Sequence, residues 1–93
     1  MDLRLDALDR GLLRRARRVS LVGVGASLER WRRALATGTR GVEVHALGRP
    51  GPRTLAIAPP VVLVFGAEPA RHRWRLALIE RHQSEGRDFV FVA

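Results

Sequence analysis

The chain has 93 residues and carries 17 basic against 9 acidic side chains, a formal charge of +8. Every basic residue is Arg, and Lys, Asn, Tyr and Cys are absent. That length holds one domain, a hydrophobic content of 46% excludes a disordered basic tail, and the lack of Cys excludes a disulfide framework or a thiolate metal site.

Residues 2–18 are expected to form an amphipathic helix. Leu5, Leu8, Leu12, Ala16 and Val19 recur at three- and four-residue spacing on one face. Asp2 is placed to cap its start, with Asp6 and Asp9 early and Arg14, Arg15, Arg17 and Arg18 late, an order that suits the helix dipole. Arg10, Arg14, Arg17 and Arg18 fall opposite the apolar stripe as a basic ridge. Val19-Ser20-Leu21-Val22-Gly23-Val24 is a near-continuous apolar run, the pattern of a strand buried on both faces. Gly25-Ala26-Ser27 then turns the chain, with Ser27 as N-cap of a helix over 28–36 whose Leu28, Trp31 and Leu35 face inward and which Gly38 stops. Val42, Val44 and Ala46 alternate with Glu43 and His45, as in a half-buried strand near a sheet edge.

Gly48-Arg49-Pro50-Gly51-Pro52-Arg53 is the clearest loop. Residues 54–58 read equally as a helical turn or a strand, and Pro59-Pro60 ends them. Val61-Val62-Leu63-Val64-Phe65 is a second fully apolar strand. The last helix starts at Glu68-Pro69, runs to about Ser84 and is ended by Gly86. It has two apolar arcs, with Ala70, Trp74, Ala77 and Leu78 on one side and Leu76 and Ile79 nearly opposite. Phe89-Val90-Phe91-Val92 is the final strand. The whole of 1–93 is thus expected to be a single α/β domain: an N-terminal helix over 1–18, then a β-α-β-β-α-β core over 19–93. Its sheet is small, doubly wound and mainly parallel, with four strands in the order 2-1-3-4.

The motifs offer little to chemistry. Gly23-Val24-Gly25-Ala26-Ser27-Leu28 lies where a dinucleotide fingerprint would, but Leu28 replaces its third glycine and no acidic ribose ligand follows the next strand. A tight strand-to-helix turn explains the same glycines. A P-loop needs a Lys, and there is none. His45, His72 and His82 show no i, i+4 pair and no acidic ligand pattern, so no metal is expected. Ser27 stands at a strand-to-helix corner without the nucleophile-elbow sequence. The strand ends read Gly23-Val24-Gly25, Leu47-Gly48, Phe65-Gly66-Ala67 and Val92-Ala93, with Glu68 just beyond the third. These positions carry the chemistry of this architecture, so neither an enzyme, a cofactor nor a small-molecule substrate is expected.

Three Arg clusters remain, at 14–18, 30–33 and 71–75. Trp31 and Trp74 sit among them, a composition suited to base stacking and phosphate contact, although both also fall on apolar helix faces that predict core positions. The absence of Lys and Asn is also what a GC-rich genome produces, so the Arg excess has a compositional source besides an electrostatic one.

From residue 19 onward the arrangement resembles a response-regulator receiver domain. The first strand and its helix match in pattern, and Leu55-Ala56-Ile57-Ala58-Pro59-Pro60-Val61-Val62-Leu63-Val64 is similar to the family's passage into its third strand. The resemblance implies a flavodoxin-like winding. It does not carry over the phosphoryl chemistry. The family's acidic residues after the first strand are here Gly23, Val24 and Gly25, and its phosphorylated Asp is replaced by Phe65 and Gly66. The family's last helix-strand-helix is missing as well.

The leading expectation is a non-enzymatic interaction or regulatory module acting through a homodimer or a protein partner. Its contacts would be Leu76 and Ile79 on the second arc and Phe89 and Phe91 on an apolar edge strand. The alternative is a nucleic-acid-binding accessory, or a partner for an acidic protein, using Arg10, Arg14, Arg17, Arg18, Arg30 and Arg33. No apolar run approaches the roughly 20 residues of a membrane span, and Met1-Asp2-Leu3-Arg4 opens no secretory signal, so the expected location is cytoplasmic.

Overall fold

The computed structural model describes residues 7–8, 10–37, 40–65 and 68–92. Asp2, Leu5, Asp6, Asp9, Gly38, Gly66, Ala67 and Ala93, which carry some of the expectations above, lie outside the described residues. Four strands, β1 (Arg18–Gly23), β2 (Gly41–His45), β3 (Val61–Val64) and β4 (Phe89–Val92), form one sheet in the order β2-β1-β3-β4. Every pair is parallel: Val19 stands beside Val42, Leu21 beside Val62, and Leu63 beside Phe91. Helix α1 (Gly25–Ala36) connects β1 to β2, a 3₁₀ turn (Pro52–Ala56) lies between β2 and β3, and helix α2 (Ala70–Ile79) connects β3 to β4.

The winding follows from handedness. The step from β1 to β2 and the steps from β2 through β3 to β4 run in opposite directions across the sheet. Right-handed crossovers must then place α1 on one face and the 3₁₀ turn with α2 on the other. The cores divide that way. Leu28, Trp31 and Leu35 of α1 pack with Val19, Leu21, Val62, Val64 and Val92, joined by Leu8 and Leu13. Trp74 and Leu78 of α2 pack with Val22, Val61, Leu63, Phe65 and Phe89, joined by Ile57. Strands β1, β3 and β4 send alternate residues to the two faces, which is why β1 and β3 read as unbroken apolar runs. Ser20 is the one polar residue in the buried run of β1; its hydroxyl donates to Ala58 O at 3.0 Å and ties the approach to β3 onto β1.

Three local expectations are corrected. The N-terminal segment does not continue as a helix to Arg18. Gly11 N–H donates to Ala7 O at 3.0 Å, then Leu13 N–H reaches back to Leu8 O at 2.8 Å, a wider loop that closes the helix into turns over 11–15. The turn buries Leu13 completely while Leu12 and Ala16 remain half-buried. Glycine's low helix propensity at position 11 makes this the cheapest place to bend.

Ser27 does not cap α1. The helix begins at Gly25, which has φ of 76°, and Val24 occupies the cap with no side-chain hydrogen bond. Glycine is required for that left-handed conformation. Gly23 has a different reason: a Cβ there would stand 3.1 Å from both the Cβ and the carbonyl oxygen of Val64 on the neighbouring strand. The last helix stops at Ile79 rather than near Ser84, and Pro69 caps it rather than forming its first residue. His82, at φ of 62°, takes the left-handed position that ends a helix, and His82 N–H donates to Ile79 O at 2.9 Å. Gly86, at φ of 88°, serves the following turn into β4. Residues 54–58, left open between turn and strand, enter the 3₁₀ turn and then an extended link.

Candidate functional site

The C-terminal ends of the strands are where this winding places chemistry. Here Gly23 ends β1 and Val24 and Gly25 follow it, and Phe65 follows β3 with its carbonyl accepting from Arg71 Nε at 2.7 Å. Both glycines are accounted for by the strand contact and the left-handed turn. Among the described residues no three His, Asp or Glu side chains converge as metal ligands. His45 Nε2 has Glu43 Oε2 at 3.9 Å and no hydrogen-bond partner among the described residues.

The interaction residues expected from the sequence separate into two groups. Leu76 and Ile79 lie together on the outer face of α2, 49% and 51% exposed, while Trp74 and Leu78 on its inner face are fully buried. The second arc is therefore not consumed by the fold, and Leu8 and Leu13 of the N-terminal segment pack in the core on the α1 side of the sheet, away from it. The Phe89 side chain is completely buried in the α2-side core, so only its backbone edge could meet a partner. Phe91 is half-buried, edge-on to Phe89 with ring centres 5.9 Å apart. Arg71 and Arg75 stack over the Phe91 ring at 5.8 and 5.1 Å.

Beta-strand β4 is an edge strand as expected, but its edge is partly occupied. Asp88 O accepts from Val61 N–H at 2.8 Å, so alternation turns the backbone groups of Phe89 and Phe91 outward. The Phe89 carbonyl then accepts from Gly86 N–H at 2.8 Å. Arg75, besides covering Phe91, donates to Glu85 Oε1 at 2.8 Å and lies 3.9 Å from Glu68. The Glu85 hydrogen bond, with both carboxylates nearby, raises the pKa of the guanidinium above its ordinary value.

The Arg ridge is also redistributed. Arg10, Arg14 and Arg17 are exposed on the N-terminal turns, Arg18 opens β1, and Arg30 and Arg33 are exposed on α1. Because the helix bends at Gly11, the first four do not share one helical face. Arg18 lies 3.4 Å from Glu43, and Arg33 lies 3.5 Å from Glu29. Arg32 forms the closest pairing with that same carboxylate through Nε and Nη2, and this hydrogen bonding holds Glu29 below the usual carboxylate range. Trp31 and Trp74 are fully buried, as their apolar faces predicted, so neither can stack on a base.

A feature the sequence did not reveal lies beside the exposed arc. Two adjoining open depressions, each of about 460 Å³, run between α2 and the loop over 48–52. Pro50, Ala77 and Glu80 line both; Leu76, Arg49 and Arg73 line one, and Pro52, Thr54 and Arg81 line the other. The loop side is fixed by Thr54, a buried residue: Gly51 N–H donates to its hydroxyl at 2.9 Å, and its own N–H donates to Gly51 O at 2.9 Å. The sequence shows the Pro-rich loop and the helix separately, but only the crossover over β1 and β3 brings them together.

The chain matches no family model, no curated protein and no solved structure.

On the far side of the sheet, β2 is the second edge. Gly41 N–H donates to Arg17 O at 2.9 Å, so the backbone groups of Val42 and Val44 turn outward, and the Val44 side chain is 42% exposed. No helix among the described residues is long and apolar enough to cross a membrane.

Proposed function

We propose that this chain is a non-enzymatic protein-interaction module, receiver-like in its winding but without the phosphoacceptor, and that it meets its partner through the outer face of α2. The observation that carries the reading is the contrast on one ten-residue helix: Trp74 and Leu78 fully buried, Leu76 and Ile79 half exposed side by side. A scattered exposed leucine needs no explanation, but a second apolar arc bordering a formed groove is the pattern of a contact surface. The apolar strand ends support the non-enzymatic part of the reading, since Val24 and Phe65 supply no acid, base or nucleophile there.

The test is site-specific photo-crosslinking in the native host. A photoreactive side chain at position 76 should give a discrete protein adduct, and the same group at Ala36, exposed on α1, should not. Equal labelling from both positions overturns the reading. An adduct of twice the chain mass identifies self-association as the form the contact takes.

A further inference from the structure

We propose that the groove between α2 and the loop over 48–52 receives a short acidic protein segment that carries a large apolar anchor. The proposal rests on the reading of the outer face of α2 as the contact surface and names the chemistry of what covers it.

Apolar side chains line the groove, Leu76 and Ala77 from the helix and Pro50 and Pro52 from the loop. Basic side chains line it too. Arg49, Arg73 and Arg81 stand around it against Glu80 alone, and none of the three arginines has an ion pair among the described residues. The other acidic side chains of this half of the molecule are engaged: Glu68 and Glu85 with Arg75, and Asp88 with Arg87. The groove thus joins a place to bury an apolar side chain with positive charge that the fold leaves unanswered. Complementary charge sets partner choice and encounter rate, while the buried anchor supplies affinity. The wall is also preorganised, because Thr54 holds the loop and two prolines stiffen it, so little ordering cost falls on binding.

The same observations weigh against other occupants. In a two-fold dimer through this patch, each patch meets its own copy, setting arginines face to face between chains of +8 each. A phosphodiester backbone has nothing to place on Leu76, Ala77 and the prolines.

The probes are fluorescein-labelled peptides of roughly 12 residues: one of Glu with Leu at helical spacing, one of Glu only, and one with Lys in place of Glu. Binding to the full chain is read by anisotropy and located by amide chemical shifts. The Glu/Leu peptide should shift the amides of the loop over 49–53 and of α2. It should bind at least about tenfold more tightly than either control, a difference of about 1.4 kcal/mol. Arg49→Glu with Arg73→Glu should weaken it by at least about tenfold. Leu76→Ser should weaken it several-fold, and both variants should retain the native circular dichroism spectrum. Shifts centred on residues 10–18, equal binding of the Glu-only or Lys/Leu peptide, or displacement of the peptide from the groove by duplex DNA or anionic vesicles each overturns the proposal. So does a sedimenting dimer that Leu76→Ser dissociates. An adduct from position 76 without peptide binding refutes the acidic occupant while leaving the contact surface; peptide binding in the groove without an adduct supports the acidic occupant and refutes the cellular contact.

Discussion

Asp88 holds the turn that delivers the chain into β4. Ser84 N–H donates to its Oδ2 at 2.8 Å, and Arg87 Nη2 reaches the same oxygen at 3.0 Å. The Ser84 hydrogen bond, with Arg87 beside it, holds the carboxyl below its usual range. A carboxylate depressed on folding contributes stability above its unfolded pKa and loses that contribution as pH falls through the folded one. Asp88→Ala should therefore cost about 1 kcal/mol at neutral pH. The gap from the parent protein should narrow as pH drops below about 4. Urea melts at pH 7 and pH 3 measure this, and a gap of the same size at both would mean that the charge on Asp88 contributes nothing. Single residues also account for what the sequence concealed. Leu13 enters the core only because Gly11 lets the chain bend, and His82 takes a left-handed conformation that sequence rules assign first to Gly or Asn. At Leu13 burial in the core, and at His82 closure of the helix end, select a residue that the local pattern did not single out.

At the scale of elements, α2 is two surfaces on one helix. Leu78 is wholly buried against the sheet, and Leu76 stands half in solvent. Leu78→Ala should cost roughly 2–5 kcal/mol through lost transfer energy and a residual cavity. Leu76→Ser and Ile79→Ser, singly, should stay within about 0.5 kcal/mol of the parent. Chemical denaturation followed by tryptophan fluorescence reports both, since Trp74 lies in the core that Leu78 helps to form. A large loss at Leu76 would mean that its side chain supports the fold and is not held in reserve for a partner. The sheet was readable from sequence because parallel strands buried on both faces leave long apolar runs, as residues 19–23 and 61–65 do. Strand order followed from those runs and the handedness of crossovers. The candidate site was readable only in part. Helical periodicity exposed the arc of Leu76 and Ile79, but the buried state of Phe89 and the groove beside Pro50 depend on how α2 lies across the sheet. No spacing along the chain encodes that angle.

Across the whole molecule, the charge of +8 is spread over a body with extents of 29 × 27 × 20 Å. Two electrostatic effects compete within it. The ion pairs are contacts of 4 Å or less between exposed or half-exposed side chains, Arg18 with Glu43 and Arg87 with Asp88 among them. Pairs of that kind are worth about 0–1 kcal/mol each. Against them stands mutual repulsion among arginines with no ion pair among the described residues, including Arg10, Arg14, Arg17, Arg30, Arg49 and Arg73. Charges distributed over a surface of this size are separated by on the order of 10–20 Å, whereas the Debye length falls from about 30 Å at 0.01 M salt to about 10 Å at 0.1 M. The first additions of salt therefore screen the long-range repulsion more than the contact pairs. Self-repulsion of a strongly charged compact state is destabilising, so its removal should raise the melting temperature. Melts in sodium chloride from about 0.01 to 0.2 M should show Tm rising and then levelling. Chloride is the suitable anion, because sulfate and phosphate stabilise folded proteins by exclusion from their surfaces. A Tm that falls over the same range would show that the short pairs outweigh the repulsion and that the arginine excess is internally compensated. The groove would then have less positive charge to offer an acidic partner.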